Sequence, residues 1–122
     1  MSTPGPLTQV TDANLQDVVD AQRGVLVLAK TDCGYCAGYE REILDLMDQG
    51  VLPEVVVGKM SLDKPESGRF KKGNPWLLGL DVLPFTLLFS RGQQMDAFAA
   101  SRASYLRERI EDNLPGPDAP SG

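Results

Sequence analysis

Cys33 and Cys36 are the residues in this chain whose type and spacing point most directly to chemistry. They are its only two cysteines among 122 residues, separated by Gly34 and Tyr35. Thiols so placed can close into a small disulfide ring and reopen, moving two electrons each time. The pair stands where an apolar run meets a long helical pattern, which puts Cys33 at a helix start. There, unpaired N–H groups and the helix dipole favour a thiolate. Cys36 falls about one turn in. The first thiol is thus placed for solvent and the second for burial, as an attacking and a resolving cysteine require. The same spacing also suits two small buried residues, or half of a zinc site. With no histidine in the chain, a four-coordinate metal site would need ligands shared across a dimer. No metal is expected, and no cofactor beyond the disulfide itself.

The bulk composition narrows the field further. An apolar share of 42% in 122 residues supports one domain with a core of its own, without disulfide staples. The net charge of −5 argues against nucleic acid or an anionic membrane as a partner. Imidazole acid–base catalysis is excluded with the histidines, and two cysteines are too few for a secreted disulfide scaffold. Met1 to Pro6 carries no basic region followed by an apolar stretch, and no run reaches the ~18 apolar residues of a membrane helix. A cytoplasmic monomer is the expectation.

The cysteines need elements to hold them. Residues 1–9, rich in Pro and Gly, read as a flexible arm, and 10–114 as the domain. Thr11 or Asp12 can cap a short helix carrying Leu15, Val18 and Val19, which ends near Gly24. Val25 to Ala29 is a continuous apolar run suited to a strand buried on both faces. After Lys30-Thr31-Asp32 the cysteines open a helix to about Gln49, with Cys36, Glu40, Ile43, Leu44 and Met47 near one face and Gly50 at its end. Glu54 to Leu62 reads as a second strand. Asp63 to Leu80 is irregular, with short helical turns around Phe70 and Trp76. Val82 to Phe89 and Gln93 to Ala99 form a hairpin around Ser90-Arg91-Gly92. Ser101 can cap a closing helix with Leu106, Ile110 and Leu114 inward. Pro115 stops it, and 115–122 reads as a disordered tail. The order gives a βαβ unit with a hairpin added, an α/β fold with a central mixed sheet flanked by helices.

Four landmarks in this order resemble the thioredoxins: Val25-Leu-Val-Leu leading into Cys33-Gly-Tyr-Cys36, Lys59-Met-Ser-Leu-Asp63, Leu83-Pro84 with Thr86-Leu-Leu-Phe89 and Gly92, and Leu106 to Leu114. A CxxC opening the helix of a βαβ unit is itself similar to the thioredoxin redox motif. The resemblance implies a thioredoxin fold, a cis peptide bond before Pro84, and substrate chain pairing with the backbone of Leu83 beside Gly34 and Tyr35. It also implies that Lys59 points toward the redox centre.

Departures from the family set expectations of their own. Asp32 stands where thioredoxins have tryptophan, and its carboxylate opposes a Cys33 thiolate while Lys30 offsets it. Val27 replaces the family's buried aspartate, which helps move a proton to or from the buried thiol. Water, Lys59 or nothing takes its place, and Glu40, one turn beyond Cys36, is a weak candidate for proton transfer. Gly-Tyr between the cysteines is similar to glutaredoxins, and Asp63 to Pro84 is longer than in thioredoxins. Lys30, Asp32 and Lys59 are therefore the residues expected to tune the thiols. The basic Arg69, Lys71 and Lys72 read as a solvated loop and Trp76 as packing under it.

The function implied is a thiol–disulfide oxidoreductase that reduces protein disulfides, with electrons from a reductase or glutathione. The alternatives are a glutathione-linked or isomerase-like enzyme, or a non-catalytic binding module of the same fold.

Overall fold

A computed structural model describes residues 7–116. Its strands are β1 (Thr8–Gln9), β2 (Gly24–Ala29), β3 (Val56–Ser61), β4 (Phe85–Ser90) and β5 (Gln93–Ala99). They form one mixed sheet in the order β1-β3-β2-β4-β5. β1, β3 and β2 run parallel, and β4 and β5 are antiparallel additions. The helices are α1 (Leu15–Val19), α2 (Gly34–Asp48), α3 (Gly68–Gly73) and α4 (Ala103–Asn113). No helix among the described residues is long and apolar enough to cross a membrane.

All six residues of β2 are buried, as its unbroken apolar sequence requires of a central strand covered on both faces. Its side chains alternate between two cores. Val25 and Val27 meet Tyr39 and Ile43 of α2 and Leu106 and Ile110 of α4. Leu26 and Leu28 face the other way, toward Val18, Met60 and Phe70. Each such side chain contributes roughly 1.5–3 kcal/mol when fully buried. Gly58 of β3 lies against Val10, where an added Cβ would collide, so the close approach of the N-terminal segment depends on that glycine.

Several expectations need correction. Thr8 and Gln9 are not a loose arm but an edge strand, in register with Gly58 and Lys59, and Leu7 is buried. Residues 1–6 and 117–122, assigned to the arm and the tail, lie outside the described residues. Asp12 does not cap α1. Its carboxylate accepts the backbone N–H groups of Arg69 (2.8 Å) and Phe70 (3.0 Å) at the start of α3. Ser101 does not cap α4 either. Glu42, reaching over from α2, accepts the N–H of Ala103 at 2.9 Å. β3 begins at Val56 rather than Glu54, and β4 at Phe85 rather than Val82. The Leu83–Pro84 peptide bond just before β4 is cis. Arg91 and Gly92 both take positive φ (51° and 92°), which matches the twist of a tight hairpin between β4 and β5.

Candidate active site

β2 delivers the chain to the sheet's carboxyl end, and Asp32 turns it. Its φ of 57° lies in the left-handed region, which a short polar side chain tolerates better than a bulky one. Cys33 follows as the N-cap of α2, and its Sγ accepts the N–H of Cys36 at 3.2 Å. That donor and the other free N–H groups of the first turn are placed to stabilise the negative charge that Cys33 would carry as a thiolate once the disulfide is opened. Cys33 and Cys36 are joined by a disulfide with a Cα–Cα distance of 5.2 Å. Cys33 is half-buried, whereas Cys36 is only 5% exposed. The asymmetry expected from the helical spacing is present.

A cleft beside the disulfide is lined by Lys30, Asp32, Cys33, Gly34, Cys36, Glu40, Lys59 and Lys64, among others. Lys30 and Asp32 are exposed on its rim. Lys59 reaches it from β3, and its Nζ donates to Glu40 Oε1 at 2.7 Å. The other carboxylate oxygen, Oε2, accepts the N–H of Leu7 at 3.2 Å. Glu40 is thereby held between β3 and the N-terminal segment, with its side chain 15% exposed and that of Lys59 27%. Thr31 ties the loop before the cysteines to Asp63, donating both its N–H and its hydroxyl to that carboxylate. The hydroxyl is the main reason that the Asp63 carboxyl sits below the usual carboxylate range.

A second depression is lined by Tyr35, Asp81, Val82, Leu83, Pro84 and residues 99–101. Pairing of Leu28 with Phe85 and Val27 with Thr86 brings the segment before β4 to the end of the sheet that carries the cysteines. Tyr35 is 75% exposed and Val82 51%, while Leu83 is half-buried and Pro84 buried. The expected docking residues are therefore divided: Gly34 lines the charged cleft, and Tyr35 joins Leu83 and Pro84 in an apolar one.

Val27 faces α2 from the middle of a row. Its partners in register are Lys59 on β3 and Thr86 on β4. Lys59 bonds Glu40, and Thr86 Oγ1 lies 2.8 Å from the Tyr39 hydroxyl in a fully buried contact. Burial pushes the Tyr39 hydroxyl up to about 12, against the opposing effect of the Thr86 hydrogen bond. Sequence reasoning misses Tyr39, Thr86 and Gln9, the last of which also lines the cleft. Tyr39 lies three residues after Cys36 and four before Ile43, so the helical period does point to it.

The long segment after β3 is held by its own side chains. Lys71 Nζ donates to the Leu62 carbonyl at 2.7 Å, so this member of the basic cluster serves the fold. Trp76, 43% exposed, packs its ring 5.7 Å from that of Phe85. Among the described residues no group of three or more Cys, Asp or Glu is arranged to hold a metal.

No protein-family model and no curated protein matches this chain. Solved structures do resemble it. It is similar to the thioredoxin Mala s 13 of Malassezia sympodialis, with 18% identity, 92% of this chain and 94% of that one covered, and a TM-score of 0.71. A mutant thioredoxin from Halobacterium salinarum gives 21% identity, 95% and 97% coverage, and a TM-score of 0.70. Thioredoxin from Trypanosoma brucei brucei gives 16%, 91% and 92%, and 0.70. The chain has the thioredoxin fold.

Proposed function

We propose that this chain is a thiol–disulfide oxidoreductase that reduces protein disulfides by cycling Cys33 and Cys36 between dithiol and disulfide. The observation that carries this reading is the Cys33–Cys36 disulfide at the start of α2, with the outer cysteine half-buried and the inner one buried. In the reduced protein the Cys33 thiolate attacks a substrate disulfide and forms a mixed disulfide, releasing one substrate thiolate. Cys36 then attacks the Cys33 sulfur, closing the ring and releasing the second. The substrate gains two electrons and the cysteines lose two, which an external thiol must restore.

Gly34, Tyr35, Leu83 and Pro84 form the substrate-docking surface in this reading. Lys30 and Asp32 act on the charge at Cys33 from the rim. A reductase is one source of electrons. With Lys59 paired to Glu40, Lys30 and Lys64 remain in the cleft against Asp32, a balance that favours a thiol bearing carboxylates, so glutathione is the second. Both cysteines lie in the site and none is left for a structural staple, which fits a cytoplasmic protein.

A redox-buffer titration, scored by thiol alkylation and intact mass, tests the proposal. A single two-electron transition that disappears in Cys33→Ser is expected. Should no Cys33–Cys36 disulfide form at any poise, the enzyme reading falls and a binding module of the same fold takes its place.

A further inference from the structure

We infer that Glu40, clamped by Lys59, takes the proton from Cys36 when the mixed disulfide is resolved. This rests on the cycle proposed above and adds a catalytic residue to it. Resolution needs a Cys36 thiolate, yet Cys36 is only 5% exposed, and burial away from water disfavours charge. A proton acceptor must therefore be close. The strand under the helix has none to offer, since β2 reads Gly-Val-Leu-Val-Leu-Ala throughout.

The cleft that holds Cys36 presents a short choice. Gln9, Thr31 and Ser61 carry only neutral amide or hydroxyl groups, which leaves Lys30 and Asp32 from the loop before α2, Lys59 from β3, Lys64 from beyond β3, and Glu40 from α2 itself. Lysines at neutral pH have no lone pair to accept with. Asp32 is exposed at the outer side, next to Cys33 rather than Cys36. Glu40 lies one helical turn after Cys36 on the same face, where Cβ atoms are about 5–6 Å apart. Its two polar partners, Lys59 Nζ (2.7 Å) and Leu7 N–H (3.2 Å), are both donors. Its oxygens are therefore used as acceptors and fixed in place, with lone pairs to spare for a proton.

The Cys36 S–H proton passes to the Glu40 carboxylate, and the freed thiolate attacks Cys33 Sγ. The Cys33–substrate S–S bond breaks, the Cys33–Cys36 bond forms, and the substrate leaves as a thiolate. Protonated Glu40 gives its proton to that thiolate or to solvent. In the reverse direction, when an external thiol opens the ring, protonated Glu40 returns the proton to Cys36.

A symmetric aromatic disulfide whose thiol is coloured separates the two steps in the reduced full-length protein. The first equivalent is released when Cys33 attacks and the second when Cys36 resolves. In Glu40→Gln, which keeps an acceptor for Leu7 N–H, the first phase is expected unchanged. The second slows about a hundredfold at neutral pH, the lower end of what a positioned proton acceptor supplies. The deficit closes at alkaline pH, where Cys36 ionises unaided, and Glu40→Asp recovers part of the rate. A purely structural role would not give that pH dependence. An unchanged second phase with an unchanged pH profile overturns the assignment. If Glu40→Gln shows no cooperative thermal transition, Lys59→Met decides, because it frees the carboxylate from its clamp. A second-phase pH profile identical to wild type in that variant also overturns it. Wild-type protein lacking both phases would instead defeat the oxidoreductase reading itself.

Discussion

Tyr39 and Thr86 join α2 to β4 through a buried hydrogen bond of 2.8 Å, one residue along the helix from the Glu40–Lys59 ion pair. Because Thr86, Val27 and Lys59 are in register across β4, β2 and β3, these two polar contacts fasten the start of α2 on either side of an aliphatic residue. The helix that carries Cys36 is thereby held at two points rather than by apolar packing alone.

A double-mutant cycle measures the Tyr39–Thr86 contact. Tyr39→Phe leaves a buried threonine hydroxyl without its partner and is expected to cost about 1–2 kcal/mol in denaturant unfolding. Thr86→Val strands the tyrosine hydroxyl in the same way. The double variant removes both polar groups and should lose clearly less than the sum of the two. Simple additivity within about 0.5 kcal/mol would mean that the hydroxyls do not interact.

Alkaline stability follows from the same contact. Tyr39 is pushed up to about 12, chiefly by burial, whereas an unfolded tyrosine titrates near 10. Between those values the unfolded chain sheds a proton that the folded one keeps, so folding weakens as pH rises. The contribution is complete below about pH 10 and lost by about pH 12, on the order of 2–3 kcal/mol. Tyr39→Phe should flatten this part of the pH–stability curve. A curve parallel to wild type from pH 10 upward would show that Tyr39 ionises as freely as in the unfolded chain.

The disulfide-forming cysteine pair, the central strand and the hairpin are legible in the sequence because each rests on a local signal: a fixed spacing, a run of apolar residues, a glycine-bearing turn. Most of the inner face of α2 is legible. Helical spacing places Cys36, Glu40, Ile43, Leu44 and Met47 on it, but Tyr39 and Leu46 escape, Tyr39 because a tyrosine reads equally well as a surface aromatic. Partnership at a distance leaves no such trace. Asp12 and Ser101 have the look of caps for the helices that follow them, yet α3 is capped by Asp12 and α4 by Glu42. β1 has two residues, too few for any period to register, and exists because Gly58 lets Val10 approach.

Acid should loosen the packing of α4 on β5. Arg109 donates to both oxygens of Asp96, at 2.6 and 2.5 Å, and Asn113 donates to the same carboxylate at 3.0 Å. The Arg109 hydrogen bonds hold the Asp96 carboxyl below the usual carboxylate range, against the effect of burial. A depressed native value means the stabilisation is present above the unfolded value near 3.9 and is lost as pH falls through the native one. Asp96→Asn is therefore expected to melt below wild type at neutral pH and to converge with it in strong acid. A constant difference across the whole range would sink the ionic explanation.

Glu42 should govern the first turn of α4. Its carboxyl is held below the usual range mainly by the Ala103 N–H, with Arg102 adding a hydrogen bond and its charge. Glu42→Ala leaves that N–H unpaired, so amide hydrogen exchange should speed up over residues 103–106 while the β2 amides stay protected. Uniform acceleration across the sheet would point to global destabilisation instead.

The apolar depression beside the disulfide makes a prediction about substrate size. Tyr35 and Val82 are 75% and 51% exposed, and both line the depression with Leu83 and Pro84. Exposed apolar side chains in such a groove gain most when a partner chain covers them. They lie outside the cleft that holds Cys36, Glu40 and Lys59, so truncating them leaves thiol chemistry in place. Tyr35→Ala with Val82→Ser is expected to raise KM for a folded protein disulfide several-fold with little change in kcat. Toward a small disulfide, which buries little surface, the variant should match wild type. The size dependence is the decisive readout, because a loss of reactivity at Cys33 would depress both substrates together. Equal losses on both would move Tyr35 from docking surface to redox centre.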